Sequence, residues 1–95
     1  GYNYLKIEID KKKVIIKYFG LAPINKQYKA FQFKSTEFKD YQIEKKAFGL
    51  IQTLIVFRSD RGEIYKYPGV NINALNKTDK EQLIKALDLL KKINT

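Results

Sequence analysis

The closing stretch of the chain, Thr78–Ile93, limits what everything before it can build. Leu83, Ala86, Leu87, Leu90 and Ile93 recur at the 3.6-residue helical period, with Ile84 and Leu89 at the margins of the stripe. Glu81, Lys85, Asp88 and Lys92 fall on the opposite side. A helix of this length is marginal alone in water, so its stripe must lie on an apolar surface made by the preceding residues. Thr78 and Glu81 form a T-x-x-E capping box, which predicts a helix start at that threonine. Asp79 and Glu81 suit the positive end of the helix dipole, and Lys91 and Lys92 suit the negative end.

The rest reads as strand and turn. Tyr4–Ile9 alternates, with Leu5, Ile7 and Ile9 on one face and Tyr4, Lys6 and Glu8 on the other. Asp10–Lys13 is a short connection, and Val14–Phe19 is a second strand. A hairpin that sets Ile9 opposite Val14 also sets Ile7 against Ile16 and Leu5 against Tyr18, so every inward position is matched. The same register puts Lys6 opposite Lys17 on the outer face.

Gly20–Lys26, with Pro23 and Asn25, is a loop, and Tyr28–Phe33 is a strand with Phe31 and Phe33 inward. Lys34–Lys39 is polar apart from Phe38 and reads as a bend or short turn. Asp40–Lys45 is a short strand with Tyr41 and Ile43 facing the core. Ala47-Phe48-Gly49 predicts a turn that exposes Phe48 at its tip. Leu50–Phe57, apolar on both faces, is the most buried strand. Ser59–Gly62 closes a tight hairpin. Pairing Ser59 with Glu63 sets Phe57 opposite Tyr65 and Ile55 opposite Tyr67, all on the core face. Pro68-Gly69 breaks that strand, and Val70–Ile72 is the last.

The expected fold is mainly β. About seven short antiparallel strands curl into two packed sheets or a partly open barrel, and the C-terminal helix closes the open side. No repeat or linker divides the chain, so residues 1–95 are one domain. Gly1 reads as a residue left by tag removal, which makes this a segment expected to belong to a longer protein.

Composition narrows the function classes. With no His and no Cys, the chain cannot form Ser-His-Asp or Cys-His machinery, a disulfide, or a typical zinc site. There is no phosphate-cradling glycine loop either, so an enzyme is not expected, and neither is a cofactor. The acidic residues Glu8, Asp10, Glu37, Asp40 and Glu44 fall on outward strand positions or in turns with lysines nearby. A net charge of +9 favours anionic partners. Only two of the cations, Arg58 and Arg61, are arginines, the usual bidentate readers of phosphates and bases, and Phe31 and Phe33 read as core rather than stacking platforms. Nucleic acid is not the expected partner.

Four passages carry a resemblance: IDKKKVIIKYFG, FQFKSTEFKDYQIEKK, LIVFRSDRGEIYKYP and TDKEQLIKALDLL. In strand and turn order they resemble the bacterial pleckstrin-homology-like domains over nearly the whole chain. The resemblance implies a PH-like partly open barrel and a non-catalytic binding or scaffolding role. Its expected partner is a protein or peptide held between the C-terminal helix and an adjacent sheet edge. Outward aromatics such as Tyr2, Tyr4, Phe19 and Phe48 are the expected contacts with such a partner, or with a second copy in a homo-oligomer. Lipid-binding relatives carry a K-x(n)-K/R-x-R pattern over the first hairpin. Here Lys6 or the run Lys11, Lys12 and Lys13 stands for its leading cations; the following arginine is absent, and Lys17 is the nearest cation. Those five lysines give the alternative reading, a weak electrostatic contact with anionic lipid headgroups. Some relatives adjoin membrane-spanning segments, which implies a cytoplasmic domain at the inner membrane face where the full protein has an anchor.

Overall fold

The computed structural model describes residues 5–19 and 28–95. The expected loop 20–26, the expected contacts Tyr2 and Tyr4, and the side chain of Phe19 lie outside the described residues. Seven strands and one helix follow in order: β1 (Leu5–Ile9), β2 (Lys13–Phe19), β3 (Tyr28–Lys34), β4 (Phe38–Lys46), β5 (Ile51–Asp60), β6 (Glu63–Lys66), β7 (Val70–Asn71) and α1 (Lys77–Ile93).

β1, β2 and β3 form one antiparallel sheet in that order. The first hairpin has the register its alternation dictates: Ile9 opposite Val14, Ile7 opposite Ile16, Leu5 opposite Tyr18 and Lys6 opposite Lys17. β3 then sets Phe33 beside Val14 and Phe31 beside Ile16 on the inner face. A short 3-10 turn, Ser35–Glu37, carries the chain to the second sheet. Phe38, expected in that polar turn, instead begins β4 and is fully enclosed in the core. A bulge between Phe38 and Asp40 lets Phe38 point inward while Tyr41 and Ile43 keep the same face.

β4, β5 and β6 form the second sheet, and β7 pairs with β5 beyond β6. The β5–β6 turn departs from the sequence reading by one residue: Asp60, not Ser59, pairs with Glu63. Arg61 (φ 53°) and Gly62 (φ 83°) both take positive φ, which closes a two-residue hairpin matched to strand twist. That slip reverses faces. Phe57 lies opposite Lys66, and Tyr65 opposite Arg58. Tyr67 lies beside Val56, to whose carbonyl its N–H donates at 3.0 Å. The core face of β5 is therefore Leu54 and Val56, while Ile55 is buried apart from the main cluster. Between Tyr67 and Val70 the strand holds one extra residue. A Cβ on Gly69 there would stand 2.5 Å from Thr53 Cγ2, so any larger residue would force the Thr53 side chain to shift.

Tyr67 joins the sheets, stacking on Phe31 (centroids 4.2 Å apart) and Phe33 (5.4 Å). Among the described residues the architecture is a pair of antiparallel sheets capped by a helix, and no ladder links the two sheets there. α1 buries Leu83, Leu87 and Leu90 against Val14, Ile16, Phe33, Phe38, Leu54, Val56, Val70 and Ile72. Its cap is Asn76, whose Oδ1 accepts the Asp79 N–H at 2.8 Å, in place of the expected Thr78 box. Asn is among the strongest N-caps, and starting at Lys77 sets Asp79 at the third helical position. Ile93, expected in the buried stripe, is 68% exposed. The reason is local: Asn94 turns back and donates Nδ2 to the carbonyls of Ser35 (2.8 Å) and Phe38 (3.0 Å), which leaves Ile93 outward.

Candidate functional site

Helix α1 lies between two sheet edges, β1 on one side and β4 on the other, and a groove runs along each seam. The β4 seam encloses about 420 Å³ and is stitched by polar contacts. Tyr41 Oη donates to Asp88 Oδ1 at 2.6 Å, and Lys91 Nζ lies 3.1 Å from Asp40 Oδ1. Burial, and then the Asp88 carboxylate, push the Tyr41 hydroxyl up to about 12. The Tyr41 N–H, followed by Lys91, holds the Asp40 carboxyl below the ordinary carboxylate value.

The β1 seam encloses about 410 Å³ and differs in kind. Its floor is apolar, made by Leu5, Ile7 and Ile9 from the inner face of β1 and by Leu75, Leu83 and Ala86 from the helix side. Lys6, Asp79 and Gln82 line its rim. Leu75 enters through the connection before the helix, where its N–H donates to the Ile72 carbonyl at 3.1 Å. Among the described residues β1 is paired along one edge only. An edge strand carries backbone donors and acceptors at every second residue, next to a floor that accepts apolar side chains.

The five lysines singled out in the sequence share one hairpin, as its register requires. Lys6 and Lys17 face each other, and Lys11, Lys12 and Lys13 are all exposed at the tip. Asp10 shapes that tip: its Oδ1 accepts the N–H groups of Lys12 (2.7 Å) and Lys13 (2.8 Å), which holds the Asp10 carboxyl below its ordinary value. Ser35 fastens the tip to the second sheet, donating its N–H to the Lys12 carbonyl (2.9 Å) and its hydroxyl to that of Asp10 (2.6 Å). Glu8 sits among the lysines. Lys6, 3.0 Å away, lowers its pKa most, and Lys17 and Lys13 add to that. Lys34, opposite Lys13 across β2 and β3, extends the basic surface and is a residue the hairpin pattern alone does not reveal.

The other candidates are dispersed. Glu37 lies 3.7 Å from Arg58, and Asp60 lies 3.8 Å from the same guanidinium, which also covers the Tyr65 ring at 4.8 Å. One of the two arginines is thus committed within the protein. Glu44 is exposed opposite Thr53. Among the described residues no three acidic side chains converge as a metal ion requires. Phe31 and Phe33 stack inward on Tyr67. No helix of the described residues is long and apolar enough to cross a membrane.

Fold and site together define a two-sheet, helix-capped β domain with an open apolar seam along one sheet edge. Comparison with protein-family models, with curated proteins and with solved structures found no match.

Proposed function

We propose that this chain is a non-catalytic, PH-like binding module that takes an extended peptide along the β1–α1 seam. The observation that carries the reading is the coincidence of an edge strand with an apolar floor. A peptide added to β1 gains main-chain hydrogen bonds, and its alternate side chains reach Leu75, Leu83 and Ala86. Its remaining side chains stand on the outer side, on the face that carries Lys6 and, one strand further in, Lys17, on a chain of net charge +9. The favoured ligand therefore alternates apolar with acidic residues.

The test is a fluorescence-anisotropy titration with a labelled decapeptide of alternating Val and Glu, beside a peptide of equal composition with all Val preceding all Glu. The alternating peptide binds tighter, and Ala86→Arg, which fills the floor from a half-buried position, weakens it at least tenfold. Equal affinity for the two peptides, or no loss in the A86R variant, rejects the seam as the site.

A second reading is supported by the exposure of Lys11, Lys12 and Lys13 on one pinned turn. Each lysine near an anionic bilayer contributes about 1 kcal/mol, which gives weak, salt-sensitive adhesion. Glu8 and Asp10 offset part of that charge inside the hairpin.

A further inference from the structure

The turn between β4 and β5 combines three features that neither reading uses. Phe48 is 109% exposed, Leu50 74% and Ile51 44%, so three large apolar side chains crowd one projecting tip. The backbone presenting them is held in an unfavourable conformation. Ala47 (φ 52°), Phe48 (φ 58°) and Gly49 (φ 87°) take the left-handed region in succession, and the first two carry side chains that disfavour it. Strain of this kind persists only where surrounding contacts over-determine it.

Those contacts are present. The Gly49 N–H donates to the Lys46 carbonyl and the Leu50 N–H to the Ala47 carbonyl, each at 3.1 Å. Gln52 Nε2 donates to the Gly49 carbonyl at 3.3 Å. Asn73, from beyond β7, clamps the exit: its Oδ1 accepts the Gln52 N–H at 2.9 Å, and its Nδ2 donates to the Leu50 carbonyl. Nothing approaches within 4 Å of where a Cβ on Gly49 would stand, and Phe48 beside it is fully exposed. A rigid base thus displays Phe48 to the outside.

Charge identifies what it meets. Lys45 and Lys46, both exposed, end β4 directly below the tip. They are consecutive strand residues, so they emerge on opposite faces of the hairpin and straddle it. Glu44, one residue further back, is the nearest acid in the strand. A convex apolar point between two cations suits a surface that deforms around it and is negatively charged. We propose that the β4–β5 turn docks on an anionic lipid bilayer, with Phe48 and Leu50 entering the interface and Lys45 and Lys46 at the level of the headgroups.

This surface is separate from the first hairpin. The hairpin tip is fastened to Ser35, beside the start of β4, whereas the turn follows the end of that nine-residue strand. At ~3.3 Å per residue the two lie about 30 Å apart, near opposite ends of β4.

The chain contains no Trp, so Phe48→Trp supplies a single indole as reporter. The probes are vesicles of phosphatidylcholine alone and vesicles containing phosphatidylglycerol. F48W emission shifts to the blue, and brominated lipid quenches it, only with the anionic vesicles. In co-sedimentation the double variant Phe48→Ser, Leu50→Ser loses at least tenfold in partitioning, and so does Lys45→Glu, Lys46→Glu. The triple variant Lys11→Glu, Lys12→Glu, Lys13→Glu, its circular dichroism confirming the fold, lowers partitioning less than Lys45→Glu, Lys46→Glu at equal salt, although it removes more charge. An unshifted F48W spectrum overturns the proposal, as does full retention of the Ser variant. Loss confined to the triple variant assigns the contact to the first hairpin instead. A blue shift that grows with protein concentration in the absence of vesicles assigns the tip to contacts between copies, and equally overturns it.

Discussion

The two seams beside α1 enclose nearly the same volume and differ in what fills their walls. Along β4 the helix is stitched down by Tyr41–Asp88 and Asp40–Lys91. Along β1 it rests over Leu5, Ile7 and Ile9. A seam closed by directional polar bonds has its donors and acceptors matched and little left for a visitor. A seam of apolar side chains next to a strand that is paired, among the described residues, along one edge only offers both kinds of binding capacity. The contrast teaches which side anchors the helix and which side is available.

Removing the feature both seams share should have the largest effect. Leu87 is buried at the centre of the helix face, and Leu87→Ala should destabilise the domain by about 2–5 kcal/mol. Leu89→Ala, at a position 59% exposed, should leave the urea midpoint almost unchanged. A loss at Leu89 as large as that at Leu87 would mean the helix sits in a different rotation.

The stitched seam is next. Tyr41→Phe removes the hydroxyl bond to Asp88 and should cost about 0.5–1.5 kcal/mol in chemical denaturation. It should also change the pH profile. The folded-state value of Tyr41 is raised to about 12 from 10, so the protonated hydroxyl stabilises the fold fully below pH 10. That contribution is lost as pH rises from 10 through 12, and Tyr41→Phe should flatten the decline. An identical alkaline profile for both proteins would show that the bond adds nothing.

The smallest effect belongs to the exposed pair. Lys91→Ala should cost ~0.2–1 kcal/mol at low ionic strength and less in high salt. Asp40 is held below the ordinary carboxylate value, so its contribution is present above that value and lost as pH falls through the folded one. Acid titration of wild type and K91A should therefore converge at low pH; profiles that stay parallel would break the contrast between a stitched and an open seam.

How much of this was legible depended on how far apart the deciding residues lie. The first hairpin could be read in full, including Lys6 opposite Lys17, because both strands alternate and a short connection leaves one register that buries every apolar side chain. The exposed Phe48 was legible for the same local reason. The β5–β6 register was not, because Ser59-Asp60-Arg61-Gly62 supports either a two- or a three-residue loop, and positive φ at Arg61 decides between them. The helix start was misplaced because the Thr78–Glu81 pattern points to a cap at Thr78, whereas Asn76, two residues earlier, accepts the Asp79 N–H. The seams were out of reach. Leu75 joins Leu5 and Ala86, and Tyr41 joins Asp88, only through the relative placement of sheets and helix, which no periodicity records.

Asn94 carries a consequence for how the polypeptide matures. Its amide holds the carbonyls of Ser35 and Phe38, partners 59 and 56 positions earlier, where the chain passes from one sheet to the other and where Ser35 also grips the first turn. Asn94, which follows every strand in the chain, thus locks a junction made much earlier. During synthesis both sheets must wait with their inner faces bare until α1 arrives, an interval in which chaperones and neighbouring nascent chains compete with the helix for the same surface.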